Sequence, residues 1–150
     1  AMVDALLEFY DLLAEERQLT LRREGSAEAN GNRLMLHRAV ANLLSNALQH
    51  ATPGTEIVVR LDGTGPMSRI AVHNLGPSIP MQALPRLFDR FFRGERGRHE
   101  GAGLGLAITR AIVQAHGGSV SVVSDASGTV FELALPGASG PAQTRRQSSR

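Results

Sequence analysis

The stretch from Arg33 to Ala51 constrains the fold more than any other part of the chain. Leu36, Val40, Leu43, Leu44 and Ala47 fall on one stripe of a 3.6-residue period, so this helix has to lie against an apolar layer. Thr52-Pro53-Gly54 ends it. A second striped helix is read over Leu104 to His116, where Leu106, Ile108, Ile112 and Val113 recur until Gly117-Gly118 stop the pattern. A third covers residues 3–17, with Leu6, Leu7, Tyr10, Leu13 and Ala14 at helical spacing among acids. The rest alternates with period two. A short strand is read over Gln18 to Arg23. Two hairpins follow, Glu56 to Asp62 with Ser68 to Asn74, and Ser119 to Ser124 with Thr129 to Leu135. Gly25 to Asn32 reads as a polar loop and Met81 to Phe88 as a short helical turn. Together these predict an α+β chain, a two-layer α/β sandwich with about three helices on one face of a mixed, roughly five-stranded sheet.

Composition narrows the function. The chain has 150 residues and 42% apolar content, enough for one real core, and no apolar run approaches the roughly 20 residues that span a bilayer. Neither end resembles a signal peptide. The absence of cysteine excludes a disulfide framework and thiolate metal sites, and is compatible with a reducing compartment. A pI of 10.3 suggests nucleic acid, yet the net charge is only +2. Every basic residue is arginine, and one tyrosine is almost the only group that titrates between neutrality and pH 10, which drives the pI upward without a charge excess. The segment after Pro136 holds Arg145, Arg146 and Arg150 and no acid, so the folded body is near neutral and a nucleic-acid partner is unsupported. The absence of lysine excludes a P-loop.

The chemistry-bearing residues form two groups. Gly101, Gly103 and Gly105 alternate immediately before a helix. Bare backbone N–H groups and the positive end of the helix dipole suit an anion there, although a glycine run of this kind also serves as a plain turn. On the long helix, Asn42 and Asn46 stand at i, i+4 with Gln49 and His50 one turn on, all projecting from nearly one side. This is either a solvated polar face or a set of amide oxygens suited to Mg²⁺ and phosphate. Residues 93–103, charged and glycine-rich without an apolar anchor, are expected to form a mobile surface loop or lid.

These segments resemble the sequence boxes of sensor histidine kinases. Asn42-Leu-Leu-Ser-Asn46-Ala-Leu-Gln49-His50 is similar to the asparagine box, and Asn74-Leu-Gly76-Pro-Ser78-Ile-Pro to the first glycine box. Leu87-Phe88-Asp-Arg90-Phe91-Phe92-Arg93 is similar to the phenylalanine box, and Gly101-Ala-Gly103-Leu104-Gly105-Leu106 to the second glycine box. Gly128-Thr129 with Phe131 and Leu135-Pro136 resembles the closing hairpin. Five boxes occur in family order over residues 34–136, and their wording is most like the heavy-metal (copper, silver, zinc) sensing branch.

The resemblance implies the ATP-binding catalytic domain of such a kinase, in the GHKL fold shared with gyrase-type ATPases, with ATP and Mg²⁺ as cofactors. Asn46 would hold Mg²⁺ and Asn42 assist it. Arg93 would approach the γ-phosphate, and His50 would sit near ribose and phosphates. Asn74 would meet the adenine, with Gly76, Gly101, Gly103, Leu104, Gly105, Leu106 and Thr129 completing the nucleotide site. Three positions depart from the family: Gln49 replaces a usual lysine or arginine, Asn74 a usual aspartate and Ser78 a glycine. ATP is expected to bind with altered affinity. Phe88 is expected in the core, while Phe91 and Phe92 suit either the core or a partner surface.

The reaction implied is transfer of the γ-phosphoryl to a histidine in an upstream helical dimerisation domain. None of His37, His50, His73, His99 or His116 has the acceptor pattern, and none suggests a metal site. Ala1-Met2 supplies no helix cap, so a domain from a longer protein is expected, with residues 1–17 as its first helix or the end of a linker, 18–136 as the catalytic domain and 137–150 as a disordered tail. The implied setting is the cytoplasmic side of an inner-membrane kinase that signals to a response regulator, the isolated domain being monomeric and making no direct membrane contact. The alternatives are a degenerate nucleotide-dependent interaction module and another GHKL ATPase. The latter usually carries a glutamate in the asparagine box, and no acid stands at positions 42, 46, 49 or 50.

Overall fold

The computed structural model describes residues 2–89 and 105–137. Helix α1 covers Met2–Glu16, strand β1 Thr20–Ser26, α2 Arg33–His50, β2 Glu56–Asp62, β3 Met67–Asn74, α3 Gly105–Ala115, β4 Ser119–Asp125 and β5 Gly128–Pro136, with a 3₁₀ turn at Leu84–Arg86. The strands form one sheet in the order β1-β2-β3-β5-β4. β1 runs parallel to β2, a pairing that needs a crossover, and α2 supplies it. The other neighbours are antiparallel.

Strand alternation creates the two layers. Ile57 and Val59, Ile70 and Val72, and Phe131, Leu133 and Leu135 point to one side and are buried. Onto them pack Leu36, Val40, Leu43, Leu44, Ala47 and Leu48 of α2, Ile112 and Val113 of α3, and Val3, Leu6 and Ala14 of α1. Phe88 joins the same core, edge-to-face with Phe131 at 6.0 Å between ring centroids. The opposite face of the sheet carries exposed pairs such as Arg22–Glu56, Arg60–Glu24 and Arg69–Glu132, which contribute little to stability. The two-layer sandwich expected from the sequence is the one observed.

Local chemistry sets the helix ends. The Asn32 side chain accepts from the Met35 N–H and caps α2. At the other end of α3 the Gly117 N–H donates to Gln114 O and the Gly118 N–H to Val113 O, a Schellman closure with Gly117 at φ 82°. His116 joins the two helices, donating through Nδ1 to Ile112 O and accepting at Nε2 from the Asn32 N–H.

Three sequence expectations shift. Leu13, placed on the buried stripe of α1, is 43% exposed, while Val3 is buried, because the face of α1 turned to the sheet runs through Val3, Leu6 and Ala14. β1 begins at Thr20 and runs on to Ser26, so Gly25 and Ser26 leave the expected loop; parallel pairing with Leu61 and Asp62 gives their backbone partners. Gly137, assigned to the tail, bridges Ala29 and donates to Pro66 O.

Leu44 is fully buried at the centre of this packing. Leu44→Ala is expected to lower unfolding stability by about 2–5 kcal/mol with an unchanged urea m-value, measured by equilibrium denaturation.

Candidate functional site

One end of the sandwich collects the described residues among those singled out from the sequence. Because α2 buries its leucine stripe against the sheet, the opposite side of its second half presents Asn42, Asn46, Gln49 and His50, all half-buried. From Asn42 to His50 this row is about 12 Å long at the helical rise. Its two ends touch the two loops that matter. At one end Asn42 Nδ2 donates to Gly105 O at 3.1 Å, tying α2 to the start of α3. At the other, Thr52 N donates to Leu75 O at 2.8 Å, and Gly76 packs so closely that a Cβ there would lie 2.3 Å from His50 O. Only glycine permits that approach.

Asn74 ends β3 beside this contact. Its side chain is 3% exposed, and among the described residues neither its Oδ1 nor its Nδ2 makes a hydrogen bond. Asn74 pairs in register with Thr129 of β5, also buried. The Asn46 side chain likewise makes no hydrogen bond among the described residues. Leu106, in the first turn of α3, packs partly buried against the core.

The loop after β3 is held in part by Ser124, which the sequence reading did not single out. Ser124 Oγ accepts from Ile79 N at 2.9 Å and lies 2.7 Å from Thr129 Oγ1. Ser78 Oγ donates to Asp125 O at 3.1 Å and anchors the loop to the β4–β5 turn. Strand alternation signals Ser124, since it places that residue opposite Thr129 on the inward face. Thr109 had no such signal. It is fully buried within an apolar stripe, and its hydroxyl donates to Ala39 O at 3.3 Å, a second tie between α3 and α2.

Arg93, Gly101, Gly103, Leu104, Phe91 and Phe92, and the lid expected over residues 93–103, lie outside the described residues. Among the described residues no cluster of His, Asp and Glu has the makings of a metal site. His73 and His116 serve structural contacts, His73 Nε2 lying 2.9 Å from Ser127 O. The Asp125 carboxylate is held below the ordinary aspartate range by the Ser127 hydroxyl and then by the Ser127 N–H.

Residues 31–139 match the family of histidine kinase-, DNA gyrase B- and HSP90-like ATPases. The chain belongs to that family. It is 46% identical over 138 residues to the sensor histidine kinase CusS of Escherichia coli K12, a match covering 89% of this chain and 29% of CusS. Against the sensor protein CzcS of Cupriavidus metallidurans it is 40% identical over 134 residues, covering 85% and 28%. The chain thus spans under a third of the length of these relatives. Among solved structures, a mycobacterial sensor histidine kinase, MprB, superposes with a TM-score of 0.77 at 32% identity, over 91% of this chain and 92% of that one. As an ATPase-family domain, the chain is a nucleotide binder. No helix among the described residues is long and apolar enough to cross a membrane.

Ser124→Ala removes the acceptor for the Ile79 N–H; hydrogen exchange at Ile79 is expected to accelerate by about fivefold, as for loss of about 1 kcal/mol, with the core amides unaffected. Because the folded Asp125 is more acidic than the unfolded one, its turn contact is complete above the unfolded pKa and is lost as pH falls through the lower folded value. The Ser127 amide resonance in an NMR titration is therefore expected to move with a midpoint below that of an ordinary aspartate.

Proposed function

We propose that this chain is the catalytic domain of a two-component sensor histidine kinase, moving the γ-phosphoryl of Mg-ATP to a histidine on a helical dimerisation domain outside the chain. The observation that carries this reading is the Asn74 carboxamide, buried with no hydrogen bond among the described residues at the end of the row Asn42, Asn46, His50. A buried polar group without a partner costs about 1–3 kcal/mol, and a purine edge removes that cost. The residues present therefore fit a nucleotide. Asn46, whose amide oxygen makes no hydrogen bond among the described residues, suits Mg²⁺, which prefers oxygen ligands, and Asn42 Oδ1 assists while its Nδ2 holds Gly105.

In this reading Asn74, Gly76 and Thr129 receive the base, and His50 lies at the sugar and phosphates. Gly105 and Leu106 offer backbone N–H groups at the dipole end of α3, and Gly101, Gly103 and Leu104 of the same box are assigned to the phosphates with them. Arg93 offsets charge on the transferred group. Bound Mg-ATP supplies an activated phosphoryl group with its charge partly neutralised. The P–O bond to the β-phosphate breaks, a P–N bond to the acceptor imidazole forms, that imidazole gives up its proton, and ADP leaves. With no carboxylate at positions 42, 46, 49 or 50 to activate water, transfer is favoured over hydrolysis. Likeness to CusS and CzcS supports a cytoplasmic place in a membrane-bound, heavy-metal-responsive kinase, with a response regulator as the next acceptor. Residues 18–136 form the catalytic unit.

Mixing the chain with its upstream helical domain and Mg-ATP is expected to give acid-labile phosphate on that domain, and Asn46→Ala to lower the rate at least about a hundredfold. ATP binding without any transferred phosphate would favour a purely regulatory module instead.

A further inference from the structure

The carboxamide of Asn74 has two faces for a ligand, and the protein chooses neither. Its backbone is fixed by the register with Thr129 and by Gly128, where a Cβ would stand 2.7 Å from Asn74 O. Its side chain is 3% exposed, yet no described residue bonds Oδ1 or Nδ2. The polar neighbours are otherwise committed or bare: Thr129 Oγ1 is paired with Ser124 Oγ, and Gly76 has no side chain. The terminal amide torsion is broad and roughly two-fold, so a half-turn exchanges donor and acceptor at no cost in protein hydrogen bonds.

We propose that Asn74 makes this site accept 6-oxo purine nucleotides as well as ATP, an inference that rests on the nucleotide reading above. A 6-aminopurine edge offers a donor at the exocyclic nitrogen and an acceptor at N1. Asn74 meets these with Oδ1 and Nδ2. A 6-oxopurine edge offers an acceptor at O6 and a donor at N1–H, and the same carboxamide turned over meets both. A carboxylate at this position has acceptors only. Set so that it contacts the 6-position alone, it accepts from a 6-amino group but faces a 6-oxo oxygen acceptor to acceptor, and in a buried place that mismatch is expensive. Asn74 is thus a specificity-determining residue, set for a wider range of bases than an aspartate would allow.

The test is calorimetric titration of the 150-residue chain with Mg-ATP and with Mg-ITP, the hypoxanthine nucleotide that changes the edge without adding a 2-amino group. Wild type is expected to bind the two within about fivefold of each other, and Asn74→Asp to open a gap of about tenfold or more in favour of ATP, the cost of one mismatched buried polar pair. A wild-type preference for ATP above about 30-fold overturns the proposal whatever the variant does, and so does a variant that binds both equally while melting like wild type. If neither nucleotide binds, the nucleotide reading fails first. ATP binding with rejection of ITP leaves that reading intact and removes only the inference about Asn74.

Discussion

The two-sidedness of one helix organises this molecule. Leu36, Val40, Leu43, Leu44 and Ala47 must reach the sheet, and at 3.6 residues per turn that requirement leaves Asn42, Asn46 and His50 on the side facing away from the strands. The start of α3 and the loop after β3 then close on the two ends of that polar row, through Asn42 to Gly105 and through Gly76 against His50. The site is a by-product of core packing in a literal sense. Rotating α2 enough to bury its amides would expose its leucines, and each fully buried leucine is worth about 1.5–3 kcal/mol.

Neutral amides are a chemical choice with consequences. A carboxylate in place of Asn46 or Asn42 would bind a cation more strongly but would repel the phosphates that accompany it, and it would offer a base to water. Amide oxygens hold a hard cation without either effect. The anchoring around the base site is built from the same neutral chemistry. Ser124 links the Ile79 N–H to Thr129, and Ser78 donates to Asp125 O, so that the loop after β3 is shaped before any ligand arrives, while the Asn74 side chain makes no hydrogen bond among the described residues. Preorganised loops around one unsatisfied group are what a selective site requires.

Much of this was legible in the sequence because the signals were periodic. The α2 stripe, the two hairpins and the glycine stop after α3 reproduce hydrophobic and turn patterns with little interference, so β2 falls on the residues expected and α2 within one. What periodicity does not encode is partner choice. The parallel pairing of β1 with β2 carried the strand through Gly25 and Ser26, residues whose local preference is for a loop. Leu13 and Val3 exchange roles because the contact of α1 with its neighbours, not its periodicity alone, decides which apolar residues are covered. Thr109 reads as an ordinary polar residue until tertiary contact gives it a partner. Asn42, Asn46, Asn74 and Gly76 are singled out by their boxes, but the isolation of the Asn74 amide among the described residues is a fact of three dimensions.

The account rests on that amide being completed by a base. The most direct measurement is the side-chain ¹⁵N–¹H₂ resonance of Asn74, followed while the chain is titrated with Mg-ATP and, separately, with magnesium tripolyphosphate, which has the phosphates and no base. A large shift with ATP and none with tripolyphosphate is the predicted result. An Asn74 amide signal that stays unmoved at saturating ATP would contradict it.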